Sequence, residues 1–137
     1  MLIIIDSNIW AYYFDGDAPE HPLVVDEVEK LLKSEKIAIN TVIIMEVAHF
    51  LVKNLGPVLG KEKVDIFLQS PFTIVDLDHN LMLKSIEYLT KYSHQGIGGR
   101  DATILATANT LRSKRIMTHD EAFKRIDKIE VIDPISK

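Results

Sequence analysis

The stretch MLIIIDSNIW at residues 1–10 decides the fold class that the sequence predicts. The run from Leu2 to Ile5 is wholly apolar and stops at Asp6. A short run without polar alternation indicates a strand covered on both faces, as in the centre of a parallel sheet. Open parallel sheets bind their ligands at the carboxyl ends of the strands. Asp6 is therefore predicted to lie at the edge of the sheet where a site would form.

Length and composition predict one globular domain covering residues 1–137. Hydrophobic residues make up 47% of the chain and charged residues 26%, as is usual for soluble proteins. Apolar runs stay shorter than the roughly 18 residues of a membrane span. A strand that starts at the initiator methionine leaves no room for a signal peptide. We therefore expect a complete, cytoplasmic protein without a membrane partner.

Cysteine content and net charge narrow the range of possible functions. The chain contains no cysteine, which excludes disulfides and metal sites built from thiolates. Its formal net charge of −4 argues against a nucleic-acid binder that is basic overall. The C-terminal third is nevertheless rich in lysine and arginine, and a local basic region of this kind can meet phosphates or simply form a solvated surface.

Strands and helices are predicted to alternate along the whole chain. The further predicted strands are the short apolar segments 37–40, 72–77, 115–118 and 129–133. The predicted helices are a short apolar segment at 9–14, segments at 23–34, 41–55, 60–69, 79–92 and 100–111, and a short one near 119. This alternation predicts an α/β fold with a mostly parallel five-stranded sheet and right-handed crossovers.

Glu46 is the most informative single residue, because it interrupts the apolar segment VIIMEVAHFLV at 42–52. We expect this segment to be a buried helix. A carboxylate in such a helix costs free energy unless it is paired or bound to a cation. The structural alternative to a cation site is an ion pair with Lys53 or with a distant arginine.

Three aspartates near predicted strand or helix ends also have structural alternatives. Asp6 and Asp101 each precede or open a helix, so either can be a helix cap. Asp120 follows a strand in THDEAF, where Thr118 and Glu121 have the spacing of a capping box. If those two residues cap the helix, Asp120 has no structural role.

Taken together, these positions predict a metal site. In a parallel α/β sheet the four carboxylates would share one edge. Like charges at such range cannot all ionise without a cationic partner. Carboxylate oxygens suit Mg²⁺ or Mn²⁺, and no cysteine or paired-histidine pattern favours a softer metal. A divalent ion held in this way hydrolyses phosphodiesters by activating water and polarising a phosphoryl oxygen.

The same residues resemble the PIN-domain family and, within it, the VapC-type toxin ribonucleases. The matching motifs, in chain order, are DSN at 6–8, Glu46 in a helix, Asp101 at a helix start, and T-x-D-x-x-F at Thr118, Asp120 and Phe123. The resemblance implies a three-layer α/β/α domain that is an Mg²⁺- or Mn²⁺-dependent endoribonuclease acting on RNA. It also implies a homodimer and an inhibitory antitoxin partner.

The resemblance assigns roles to individual residues as well. The catalytic and metal-binding quartet would be Asp6, Glu46, Asp101 and Asp120. Ser7, Asn8 and Thr118 match the polar residues around that quartet, where they would orient water or a ligand. We expect Arg100 to hold a phosphate of the RNA and His119 to be an exposed imidazole.

Two other functions remain open at this point. The first is a non-catalytic RNA-binding or scaffold PIN module, against which unused clustered acids argue because they would destabilise the fold. The second is a receiver-like regulatory domain, with Asp76 or Asp78 as the phosphoacceptor after the third strand. A single acid after the first strand and the lack of a lysine at the end of the fifth strand argue against the receiver.

Overall fold

The computed structural model describes residues 2–136. Its strands are β1 (Leu2–Ile5), β2 (Lys36–Asn40), β3 (Thr73–Val75), β4 (Arg115–Met117) and β5 (Glu130–Ile132). Its α-helices are α1 (Ser7–Phe14), α2 (His21–Ser34), α3 (Thr41–Leu55), α4 (Pro57–Leu68), α5 (His79–Tyr92) and α6 (Gly99–Thr110). Two 3-10 helices follow α5 and β4, at Ser93–Gln95 and Glu121–Arg125.

The five strands form one sheet in the order β3-β2-β1-β4-β5, and each neighbouring pair is parallel. β1 is the central strand, and its residues Ile3, Ile4 and Ile5 are fully buried. The strand order reverses direction after β3, so right-handed crossovers place α1 to α4 on one face and α5 with α6 on the other. The predicted α/β fold class with helices on both faces of a parallel sheet is thus confirmed.

The strand order also excludes the receiver-like alternative, because doubly wound domains of that type have the order 2-1-3-4-5. One of the two proposed phosphoacceptor positions has a structural role. Asp78 is the N-cap of α5, where its carboxylate accepts a hydrogen bond of 2.8 Å from the Leu81 amide. Leu77 has left the sheet, and its amide donates to the Thr41 hydroxyl at the start of α3.

Several element boundaries differ from the predictions for identifiable reasons. β3 covers three residues rather than the predicted 72–77, because the chain turns towards α3 after Val75. α4 begins at Pro57, since proline fits the first turn of a helix, where its missing N–H is not needed. α6 begins at Gly99, so only the first two of the three predicted loop glycines precede it.

The expectation that α3 is a buried helix is wrong. Only Ile43, Val47 and Leu51 are buried among its residues, and the side of the helix that carries Met45 faces solvent, with Met45 itself 68% exposed. α3 therefore packs one stripe against the core and leaves much apolar surface uncovered. Within residues 2–136 no helix is long and apolar enough to cross a membrane.

Candidate active site

Asp6 lies at the carboxyl end of the central strand and is fully buried. Its Oδ1 accepts a hydrogen bond of 2.7 Å from the Ser7 amide, so the carboxylate caps α1 as the structural alternative expected. Its Oδ2 accepts a hydrogen bond of 2.8 Å from the Thr118 hydroxyl at the end of β4. Because β1 and β4 are neighbours, the two polar strand ends meet at one edge of the sheet.

Arg100 joins three of the four predicted acids. Its Nη1 donates to Asp6 Oδ1 at 2.7 Å and to Glu46 Oε1 at 3.1 Å, and its Nη2 donates to Asp101 Oδ1 at 2.6 Å. Nη1 also lies 3.3 Å from Ser7 Oγ. Burial disfavours the guanidinium charge, but the carboxylates outweigh this effect and raise the pKa of Arg100. The guanidinium of Arg100 is thus bound within the acidic cluster.

Glu46 reaches the site from the second turn of α3. Its side chain is 37% exposed, so the desolvation cost inferred from the apolar sequence is smaller than expected. Its Oε1 accepts from both Arg100 and the Ser7 hydroxyl, at 3.1 and 3.2 Å. The ion pair with a distant arginine, considered as the alternative to a cation site, is therefore present.

Asp101, in the first turn of α6, is 8% exposed. Burial raises its pKa to about 6, and the charges of Asp120 and Asp6 add to the rise, while Arg100 and the Gly98 amide oppose it. One guanidinium thus does not compensate for the desolvation and repulsion at this carboxylate.

The predicted capping box of Thr118 and Glu121 does not form, because Asp120 is the N-cap. Asp120 itself caps the 3-10 helix that follows β4, and its Oδ1 accepts from the Ala122 amide at 2.9 Å. The hydroxyl of Thr118 accepts from the Asp120 amide at 3.1 Å while donating to Asp6. Asp120 therefore has a structural role, and it borders the other three acids through Thr118 and through its charge effect on Asp101.

Hydrogen bonds connect the polar side chains of Ser7, Asn8 and Thr118 to the acids and to the chain after β4. Ser7 contacts Glu46 as described above. Asn8 Nδ2 donates to the Thr118 hydroxyl at 3.3 Å, and Asn8 Oδ1 accepts from the His119 amide at 3.4 Å. Ser7, Asn8 and Thr118 are thus the neutral hydrogen-bonding groups that hold the acidic side chains and the end of β4 in place.

His119 belongs to a second network that sequence reasoning missed. Its Nδ1 donates to the carboxylate of Asp133 at 3.0 Å, and Lys124 Nζ donates to the same carboxylate at 2.8 Å. Asp133 is 4% exposed at its side chain and follows β5. The signal was present, because Asp133 is one more acid at the end of a predicted strand, at 129–133.

The acidic quartet offers only oxygen donors, the set that Mg²⁺ and Mn²⁺ prefer. Arg100 contacts three of the carboxylates and Asp120 lies beside them, so the cluster retains an excess of negative charge, which adds to the effect of burial on the pKa of Asp101. Within residues 2–136 no three acidic or histidine side chains already form a metal-binding group, and Arg100 lies between the carboxylates that would be needed. The donors fit the ion in kind and number, provided that Arg100 moves aside.

Comparison with known proteins places the chain in a family. The model of the PIN domain matches residues 3–129. The protein named Ribonuclease VapC2 of Methanocaldococcus jannaschii is 29% identical over an alignment of 145 positions, gaps included, which covers 96% of this chain and 93% of that protein.

Two solved structures share the fold. A chain in the crystal structure of VapBC2 from Rickettsia felis bound to a promoter DNA fragment superposes with a TM-score of 0.75 at 24% identity, covering 97% of this chain and 98% of that one. A chain of a toxin–antitoxin complex from Klebsiella pneumoniae also gives a TM-score of 0.75, at 22% identity, with 96% and 97% covered. Since the family model covers nearly the whole sequence, the chain belongs to the PIN domain family.

Proposed function

We propose that this protein is an endoribonuclease that uses Mg²⁺ or Mn²⁺ and is the toxin of a toxin–antitoxin pair. The observation that carries the proposal is the convergence of Asp6, Glu46 and Asp101 on one guanidinium, with Asp120 beside them. Membership of the PIN family supports a nuclease, and the ribonuclease name of the Methanocaldococcus jannaschii relative supports RNA as substrate.

The quartet of Asp6, Glu46, Asp101 and Asp120 would hold the ion. Once bound, the ion supplies a polarised phosphoryl oxygen and a water of lowered pKa. The hydroxyls of Ser7 and Thr118 fix the acidic side chains by hydrogen bonds, which is how residues behind a metal site set ligand orientation.

The partners and setting are part of the same proposal. The chain would act in the cytoplasm as a single nuclease domain, with RNA as substrate and a cognate antitoxin as inhibitor. The toxin–antitoxin complex from Klebsiella pneumoniae, which shares the fold, supports the antitoxin. A homodimer is proposed as well, and the exposed apolar side chains of Met45, Val58 and Ile66 on α3 and α4 offer surface that a protein partner would cover.

The test is cleavage of a single-stranded and a hairpin RNA by the purified chain with Mn²⁺, with Mg²⁺, or with EDTA. We expect cleavage with either ion, none in EDTA, and a loss of more than about 100-fold in Glu46→Gln, since this change removes a ligand. Glu46 is partly exposed, so the substitution leaves folding largely intact. Glu62→Gln, at an exposed position of α4, is the matched control and should cleave like the unsubstituted protein.

The assay also decides between the nuclease and the non-catalytic module. RNA binding without cleavage under every metal condition would favour a scaffold or RNA-binding role. Cleavage that persists in EDTA, or that Glu46→Gln leaves unchanged, would contradict the proposed site.

A further inference from the structure

Arg100 occupies the centre of the acidic cluster through the same oxygens that a metal ion would need. Asp6 Oδ1, Glu46 Oε1 and Asp101 Oδ1 each accept a hydrogen bond from its guanidinium, at 2.7, 3.1 and 2.6 Å. A divalent ion bound by these three oxygens would lie between the three acidic side chains. The guanidinium of Arg100 already fills that space. The two cations therefore compete for one position.

The charges explain why an internal cation is present at all. Asp6 is fully buried and Asp101 nearly so, and buried carboxylates without a positive partner are costly. The guanidinium supplies that partner when no ion is bound. Its planar fork spans two aspartates at once, which an ammonium group cannot do in the same way.

The position of Arg100 in the chain allows the side chain to leave while the backbone stays. Arg100 lies in the first turn of α6, and its carbonyl oxygen accepts a 2.6 Å hydrogen bond from the Thr103 hydroxyl. The side chain is 30% exposed, so its guanidinium has a path to solvent. A rotation about side-chain bonds is therefore enough to open the position.

We propose that Arg100 is an internal competitor of the metal ion, which holds the acidic cluster together in the metal-free protein and is displaced when the ion binds. This inference rests on the proposed metal-dependent function. The displaced guanidinium stays attached at the rim of the site, where its fork matches the geometry of an RNA phosphate. Arg100 is thus a positioning residue in one state and a substrate-binding residue in the other.

Competition has a measurable consequence for affinity. The ion binds only the fraction of molecules in which Arg100 has left, so the apparent dissociation constant is the intrinsic one divided by that fraction and is therefore higher. Arg100→Met keeps an unbranched side chain but removes the guanidinium. We expect it to bind Mn²⁺ at least about tenfold more tightly than the unsubstituted protein.

The experiment is calorimetric titration of Mn²⁺ into the metal-free full chain and into Arg100→Met. Arg115→Met is the matched control, because Arg115 is also a partly buried arginine, paired with Glu35 at 3.2 Å outside the site. It should bind Mn²⁺ like the unsubstituted chain. A second readout is unfolding by urea, in EDTA and in saturating Mn²⁺. Arg100→Met should be the less stable protein in EDTA, and Mn²⁺ should close or reverse that difference.

The outcomes separate this inference from the proposed function. Equal or weaker Mn²⁺ binding by Arg100→Met, while the unsubstituted chain binds the ion, overturns the competition and leaves the metal site standing. Absence of Mn²⁺ binding in both proteins overturns the metal site and the competition together. If Arg100→Met does not fold, Arg100→Lys is titrated instead, and it should bind Mn²⁺ more tightly than the unsubstituted chain; unchanged affinity would overturn the inference.

Discussion

Asp101 and Asp133 are aspartates of the same molecule whose pKa values move in opposite directions. Both side chains are largely buried, and the networks they belong to adjoin through neighbouring residues Asp120 and His119. The pKa of Asp101 rises to about 6, whereas that of Asp133 falls to about 2. Burial raises the pKa of both carboxyl groups, so burial does not explain the difference.

The difference lies in the donors that each carboxylate receives. At Asp133, hydrogen bonds from Lys124, from the Ser136 and Ile135 amides and from His119 outweigh the effect of burial. Asp101 shares the guanidinium of Arg100 with two other acids and is repelled by its neighbours. A carboxylate with more donors than it needs stabilises the fold, while a cluster with too few is suited to bind a cation.

The largest expected effect is the loss of activity in Asp101→Asn. We expect RNA cleavage to fall by more than about 100-fold, because asparagine removes one of the charges that would hold the proposed ion. Initial cleavage rates at saturating Mn²⁺ measure this. Asp133→Asn should retain cleavage within a few-fold at a temperature where it is folded. An equal loss of cleavage in both variants would contradict the proposed difference between the two aspartates.

For the free energy of unfolding, we expect Asp133→Asn to have the larger effect and Asp101→Asn the smaller one. Asp133→Asn should lower the free energy of unfolding at pH 7 by about 2 kcal/mol, the value of a pKa shift from 3.8 to about 2. Asp101→Asn should be as stable as the unsubstituted chain or more so, because it removes a charge that burial disfavours. Urea unfolding followed by circular dichroism gives both values, and a clear stability loss in Asp101→Asn alone would contradict the account.

Thr118→Val tests the neutral donor next to the acids. Thr118 is fully buried, and valine keeps its shape but removes the hydroxyl that donates to Asp6 and accepts from Asn8 and the Asp120 amide. Leaving these groups unsatisfied should cost about 1–3 kcal/mol of unfolding free energy. Thr90→Val is the control, since the Thr90 hydroxyl is exposed and bonds only its own helix; a similar cost in both variants would argue against a role for the buried network.

The smallest expected effect is a pH dependence carried by Asp133. Its pKa is lower in the folded state, so its contribution is fully present above about pH 4 and is lost as pH falls towards 2. The stability gap between the unsubstituted chain and Asp133→Asn should therefore shrink to about half by pH 3. Urea unfolding at pH 5, 4 and 3 measures the gap, and a gap that stays constant would assign the effect to packing instead of charge.

The positions of the acids at one edge of the sheet were predictable from sequence, because they depend on local patterns. An apolar run that ends in Asp6 defines a buried strand and the position of its last carboxylate. The position of Asp101 at the start of a helix was predictable from a local pattern in the same way. Strand alternation then placed these positions on one edge, with no need for side-chain detail.

The side-chain partners were not predictable, because they depend on residues far apart in sequence. Arg100 meets Asp6 across 94 positions, and no local pattern distinguishes that contact from binding a phosphate. The exposure of Met45 in α3 depends on what packs against the helix, which its apolar sequence does not state. Asp120 was misjudged because two residues with capping-box spacing were expected to cap in its place.

Thermal unfolding of three proteins, with and without Mn²⁺, tests the proposed metal site most directly. An ion that binds only the folded state raises the melting temperature. We predict that Mn²⁺ raises it in the unsubstituted chain and in Asp133→Asn, the latter from a lower starting value, and leaves Asp101→Asn unchanged. A shift of equal size in Asp101→Asn, or no shift in the unsubstituted chain, would contradict the claim that the carboxylate cluster around Arg100 is the metal site.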